Sequence, residues 1–295
     1  MIPVVVIVGP TGVGKTKLSV ELAKKLNGEI INADSTQIYR NLNIATAKVT
    51  EEEKEGIPHH LFDIRNIEEN YTVYDYQKDS RKKIDELTSK SIVPILVGGT
   101  GLYIKSCIYD YQFEEGTITE QYDELSNEEI YKKLLDVDPN TEIHKNNRKR
   151  VIRAYNYYLE TGKKFSEKEV TEKLLYPVIF IGLTTDRKEL YERINNRVDK
   201  MLENGLLDEA KQIYESNIRT KAVMTPIGYK ELFPYFDGTD TLENCLELVK
   251  RNSRRYAKRQ YTWFHNQMNV SWFDVKFQNF KETVAEVYQY ILTLI

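Results

Sequence analysis

The octapeptide GPTGVGKT at residues 9–16 is the stretch whose residue types and spacing point most directly to chemistry. Glycine, four residues, then Gly-Lys-Thr is the pattern in which backbone N–H groups wrap around phosphate oxygens, the lysine reaches across them and the threonine hydroxyl can sit on Mg²⁺. Here those groups are Lys15 and Thr16, with Gly9, Pro10, Thr11, Gly12, Val13 and Gly14 as the cradle. A second candidate is Asp34, which opens DSTQIY (34–39) at the end of a short β-branched run. On position alone, three roles stay open for it: a magnesium ligand in a kinase, a general base acting on a nucleophile, or a helix cap or turn former. A third segment, GGTGLY (98–103), follows the apolar run 92–97 and carries no acid. An ATP hydrolase needs a second carboxylate at the end of a neighbouring strand, so this segment argues against one. Gln37 can donate and accept at once, the arrangement that reads the N6/N7 edge of adenine, and Ser35 and Thr36 add smaller versatile groups.

Two further segments concentrate cations without a single acid: KNNRKRVIR (145–153) and KRNSRRYAKR (250–259). In the second, Arg251, Arg254, Arg255, Lys258 and Arg259 recur at helical steps, with Tyr256, Tyr261, Trp263 and Phe264 interleaved. Phosphate backbones attract such stripes and splayed RNA bases stack on aromatic rings. A solvated helix face with its aromatics turned inward is the plainer explanation of either segment alone. Their coincidence with a phosphate loop favours a nucleic-acid partner.

The elements that must position these groups follow from apolar patterning. VVVIV before the glycine loop, EIINADS, the run 92–97 and YPVIFIGLTTD read as buried strands, each followed by a helical pattern or a glycine turn. Continuous apolar strands alternating with helices predict a parallel sheet covered on both faces. After the first helix, Gly28 is the expected stop; Asp186 is the expected cap of the long helix that follows through RKELYERINNRVDKMLENG (187–205), and a long helix is predicted from a Thr cap at 241. VSWFD reads as a short strand before a last amphipathic helix. Between about 112 and 175 no apolar strand run occurs, so the segment is predicted to be a helical insertion. The 295 residues, 41% hydrophobic and 29% charged with a net charge of −3, fit a globular protein with a sizeable core. The run at 2–8 has no basic leader or cleavage site, and no stretch approaches the length of a membrane span. Cys107 and Cys245 have no metal-ligand spacing, and such sparse use suits the reducing cytoplasm.

GPTGVGKT, DSTQIY, PHHLFDIR, LVGGTGLY, RVIRAYNYYLETGK, GYKEL and RRYAKRQYTWF, in this order and spacing, resemble the tRNA dimethylallyltransferases (isopentenyl-tRNA transferases) over nearly the whole chain. The resemblance implies a P-loop NTPase-like, nucleotide-kinase-like α/β core formed by residues 1–112 and 176–295. A helical insertion domain, 113–175, would contact the tRNA anticodon stem-loop. It implies transfer of the dimethylallyl group of dimethylallyl diphosphate to N6 of adenosine 37 in tRNAs reading codons that start with U, with diphosphate released. On this reading the loop, Gly9–Thr16, holds the diphosphate with Mg²⁺ at Thr16. Asp34 is the base, Thr100 sits by the reacting adenine and Arg197 closes on the diphosphate. Asp34, Ser35, Thr36, Gln37 and Thr100, with Lys149, Arg150, Val151, Ile152 and Arg153, would touch tRNA. A cytoplasmic monomer is expected, with no membrane association. Asn146 and Asn147 stand where the family often has an Asp, and His265 stands where Arg is common. The competing readings are a small-molecule or nucleotide kinase and an RNA-binding protein without catalysis.

Overall fold

The computed structural model describes residues 2–113, 122–167 and 173–295. The chain divides into two compact units, residues 1–109 with 174–295, and residues 110–173.

The first unit is built on β1 (Val4–Val8), α1 (Lys15–Leu26), β2 (Gly28–Asn32), α2 (Glu51–Lys54), β3 (His59–His60), α3 (Val73–Ser89), β4 (Val93–Val97) and α4 (Gly101–Ile108). The second contains α5 (Asn127–Val137) and α6 (Arg148–Thr161). The first unit resumes with β5 (Val178–Thr184), α7 (Arg187–Glu203), α8 (Leu206–Glu215), α9 (Lys221–Met224), α10 (Phe233–Phe236), α11 (Leu242–Gln267), β6 (Ser271–Asp274) and α12 (Phe280–Leu292).

All six strands pair in parallel in the order β3-β2-β4-β1-β5-β6. β1 shows why such a sheet needs helices on both sides. Val4, Val6 and Val8 join one apolar cluster and Val5 and Ile7 the other, and all five side chains are fully buried. Each such side chain stabilises the fold by about 1.5–3 kcal/mol relative to exposure. Parallel strands leave their carboxyl ends on one edge, so the loops after β1, β2 and β4 meet there.

The caps read from sequence hold at α7, where Asp186 accepts from the N–H groups of Lys188 and Glu189, and at α11, where the Thr241 side chain accepts from Asn244 N–H. The stop of α1 is placed differently. Asn27 takes the left-handed conformation (φ 50°), and Gly28 is already the first residue of β2. β3 has no sequence signature, because two residues cannot show a period; it exists because Ile30 and Ile31 of β2 offer it a paired edge. In the second unit, Ile130 and Leu134 of α5 pack with Val151 and Ala154 of α6, and α6 ends at Gly162 (φ 67°).

The strand-end loops approach so closely that side chains are excluded. A Cβ on Gly98, directly after β4, would lie 2.2 Å from the Ala33 carbonyl after β2. Gly98→Ala should therefore force the two loops apart and lower stability by about 1–3 kcal/mol or more, a loss that urea denaturation of the two proteins would measure; equal midpoints would show that the loops yield freely.

Candidate active site

The glycine loop between β1 and α1 ends at Gly14, whose φ of 101° turns the chain into the helix without a side-chain cap. The first N–H groups of α1 are thus left open toward whatever the loop holds, an arrangement suited to an anion. Val13 is fully buried, so it contributes only its backbone. Lys15 Nζ donates to the carbonyls of Gly9 and Pro10 at 2.9 Å each, folding the side chain back over its own loop. Arg197 reaches in from α7 and donates to Thr11 Oγ1 at 3.0 Å. Burial pushes Lys15 down to about 8, Asp34 partly restoring it and Arg197 adding to the fall. Burial likewise lowers Arg197 from the ordinary arginine range, with Glu53 and Asp34 opposing the shift.

Asp34 stands at the end of β2. Asn32, fully buried as the last residue of that strand, clamps its backbone: Asp34 N–H donates to Asn32 Oδ1 (2.8 Å) and Asn32 Nδ2 donates to Asp34 O (3.0 Å). Asp34 Oδ1 accepts from Thr36 N–H (3.0 Å) and the Thr36 hydroxyl (2.7 Å). That leaves Oδ2 without a donor among the described residues. Thr100 caps the start of α4; its hydroxyl accepts from Ser35 N–H (3.0 Å) and donates to Ser35 Oγ (3.2 Å). Gln260 of α11, buried, ties the loops together: its Oε1 accepts from Thr11 N–H at 2.9 Å and its Nε2 donates to Gly99 O at 3.1 Å.

Two chambers open from this point, of about 640 and 420 Å³, and they share Thr11, Asp34, Thr46, Ala47 and Arg197 as lining. The larger also takes Lys15, Thr16, Lys17, Arg193 and Lys200, giving five cations with Arg197 against the two carboxylates of Asp34 and Glu53. The smaller has Ser35, Thr36 and Tyr256 at its polar end and Ile194, Val198, Met201, Ile227 and Val249 as an apolar wall. Thr46 and Ala47 form the wall common to both. They are held by Gln37, whose Nε2 donates to both of their carbonyls (3.0 and 3.2 Å). Glu209 of α8 holds the preceding turn by accepting from the N–H groups of Asn43, Ile44 and Ala45 and from the Tyr229 hydroxyl.

The structure therefore gathers Gly9–Thr16, Asp34–Gln37, Thr100 and Arg197 around one junction. Gln37 differs from the adenine-reading role expected of it: with both donors spent on backbone carbonyls, only its Oε1 is left for a ligand. Lys149–Arg153 lie on α6 in the second unit. Lys149, Arg150 and Arg153 are exposed there, but the expectation for Val151 is corrected: it is fully buried, so its side chain holds the helix and cannot meet RNA, and Ile152 is half-buried against the same core. The basic stretch of α11 is likewise divided, since Arg254 donates to Asn195 of α7 and Lys250 pairs with Asp199, Arg259 lines the smaller chamber over the Tyr256 ring, and Arg251, Arg255 and Lys258 face solvent. Asn32, Gln260 and Glu209 went unnoticed in the sequence. For Asn32 and Gln260 the only available signal was a polar residue inside an apolar strand or helix face, which does not reveal its partner; half-buried Glu209 left no such signal.

The sheet order and the glycine loop define the P-loop NTPase-like class. The family model described as IPP transferase matches residues 37–267. A tRNA dimethylallyltransferase of Anoxybacillus flavithermus is 50% identical over 98% of this chain and 96% of its own length, and that of Bacillus cytotoxicus is 52% identical over 98% and 94%. Among solved structures, the tRNA isopentenylpyrophosphate transferase of Bacillus halodurans superposes with a TM-score of 0.78 at 44% identity, covering 99% of this chain and 96% of that one. A eukaryotic dimethylallyltransferase acting on tRNA superposes with a TM-score of 0.81 at 33% identity, covering 93% of this chain and 74% of that one. The chain belongs to the IPP transferase family, as its motifs led one to expect.

The Lys15 environment sets a pH dependence for anion binding. Below pH 8 the ammonium is charged; above it the charge is lost, and affinity for an anion in the larger chamber falls roughly tenfold per unit until the bound-state value is reached. Sulfate, whose own charge is constant over this range, should bind more weakly at pH 9 than at pH 7 in calorimetric titration. The difference should vanish in Lys15→Met, and a flat profile in the wild type would refute the assignment.

Proposed function

We propose that the chain is a tRNA dimethylallyltransferase that moves the dimethylallyl group of dimethylallyl diphosphate to N6 of adenosine 37 in tRNAs reading codons that start with U. The observation that carries the chemical reading is the place of Asp34. It lies where a cationic chamber meets a smaller one that has an apolar wall on one side and Lys230, Glu231 and Arg259 elsewhere in its lining, with one carboxylate oxygen fixed and the other open. The diphosphate belongs in the larger chamber, against the N–H groups of the loop, Lys15 and Arg197. The adenine belongs in the smaller one, beside Ser35 and Thr36, with Thr100 holding Ser35 from behind.

Diphosphate departs only if its growing charge is met by donors already in place, and preorganised donors in a dry site do this at least cost. The loop N–H groups, Lys15 and Arg197 are such donors. The allylic fragment left behind is cation-like and would be quenched by water. Ile194, Val198 and Met201 close the adjoining wall with apolar surface. The adenine amine is a poor nucleophile, because its lone pair is drawn into the ring; Asp34 Oδ2 accepts the amine proton as the N–C bond forms. The target base must leave its stack, at a cost of a few kcal/mol, which wide RNA contacts have to offset. Exposed Lys149, Arg150 and Arg153 of α6, on the unit proposed to contact the anticodon stem-loop, and Arg251, Arg255 and Lys258 of α11 are suited to that contact.

The donor set fits Mg²⁺. No cluster of three or more His, Cys, Asp or Glu able to cage a metal occurs among the described residues. Mg²⁺ beside a diphosphate takes most of its oxygens from phosphate and water and needs few from protein. The exposed Thr16 hydroxyl would supply one. When bound, the ion neutralises charge on the leaving diphosphate.

We take the enzyme to act as a monomer. No helix among the described residues is long and apolar enough to cross a membrane. The two cysteines are buried and unpaired, in keeping with a cytoplasmic setting.

Incubation with unmodified tRNA and labelled dimethylallyl diphosphate should carry label into the RNA, whereas phosphate passing from ATP to a small molecule would favour a kinase. Asp34→Asn should bind tRNA with unchanged affinity and lose about 10²–10⁴-fold in turnover; wild-type turnover in that variant would remove the base from the mechanism.

A further inference from the structure

His59 has no part in the chemistry above, yet it lines the larger chamber together with Lys15 and Thr16. It is held firmly. Its backbone pairs with Ile30 in the β2–β3 ladder, and its ring meets Phe62 edge-on at 5.7 Å between centroids. Its Nδ1 lies 2.8 Å from the carbonyl of Ile57. A carbonyl can only accept, so the proton sits on Nδ1 and the lone pair on Nε2. That Nε2 is one of two buried side-chain polar atoms among the described residues that find no partner. Burial also lowers the imidazole from its ordinary value, which keeps it neutral.

A fixed, buried acceptor left without a donor costs about 1–3 kcal/mol, a cost that a donating ligand would remove. The ligand must bring a hydrogen. Phosphate oxygens are acceptors like Nε2 itself and cannot fill the place. A divalent cation on a diphosphate keeps several waters, and those waters are strengthened as donors by the charge they touch. We propose, on the basis of the donor reading given above, that His59 Nε2 accepts a hydrogen bond from a water of the hydrated cation–diphosphate unit. His59 thereby becomes a second fixed point for that unit in addition to the Thr16 hydroxyl. Its role is to position the unit; it touches no reacting atom.

The test uses Mn²⁺ with inorganic diphosphate, followed by the electron paramagnetic resonance signal of free Mn²⁺. Wild-type protein should bind Mn²⁺ in a diphosphate-dependent way. His59→Phe keeps the ring packing but removes the acceptor, and should weaken Mn²⁺ binding about 10–100-fold, the usual loss when an outer partner of a metal site is removed. His59→Gln, whose side-chain oxygen can reach the place of Nε2, should recover most of that affinity. Equal affinity in wild type and His59→Phe would overturn the proposal, as would a His59→Gln variant no better than His59→Phe. Wild-type protein that binds Mn²⁺ no better with diphosphate than without would instead sink the donor reading on which the proposal rests. Electron–nuclear double resonance on the wild-type protein labelled with ¹⁵N-histidine needs no variant. A weak coupling from a nitrogen one water removed from Mn²⁺ is expected, and its absence would overturn the assignment.

Discussion

The site depends on gathering two half-buried cations at one loop before any polyanion arrives. Lys15 and Arg197 converge on the glycine loop with Asp34 as the carboxylate both of them feel, and burial weakens the hold of each on its proton. Desolvated positive charge is costly unless it is paired. Backbone carbonyls of Gly9 and Pro10 and the Thr11 hydroxyl take up the slack in the free protein. On the proposed reading a diphosphate would satisfy the same donors more fully, and those donors would then stabilise the charge that grows as the C–O bond breaks.

Everything around the loop serves to keep that geometry. Gln260 bridges the loops after β1 and β4, Asn32 fixes the backbone of Asp34, and Glu209 with Gln37 secures the wall between the chambers. These are neutral or carboxylate groups spending their hydrogen bonds on backbone, which makes them scaffolding for the residues that face ligand. The close approach of Gly98 to Ala33 lets the β2 and β4 loops meet through the Ser35–Thr100 hydrogen bond, next to Asp34.

Much of this was legible in the chain. Apolar runs of β-branched residues gave β1, β4 and β5, and the glycine loop announced its purpose because its mechanism demands a strand before it and a helix after it. Asp34 was legible as a strand-end carboxylate, although spacing alone left three roles open for it; the carboxylate oxygen left open at the chamber junction supports one of them. Other features were hidden for physical reasons. β3 is too short to show a period, and the left-handed residue after α1 is Asn27 where glycine is the commoner choice. Val151 sits in a basic run that reads as surface, yet helical geometry turns it into the core of its unit. Partners distant in sequence, such as Thr11 with Gln260 or Ala45 with Glu209, leave no trace in local pattern at all.

The central claim is spatial: the leaving diphosphate and the accepting carboxylate flank one reacting carbon, with the nucleobase entering from the apolar side. A crystal structure with a tRNA anticodon stem-loop and an unreactive thiolodiphosphate analogue of the donor tests it directly. The account predicts diphosphate oxygens against the N–H groups of residues 12–16 and the adenine N6 within hydrogen-bond reach of Asp34 Oδ2. A diphosphate seated away from the glycine loop, or an amine facing some other group with Asp34 turned from it, would contradict the account.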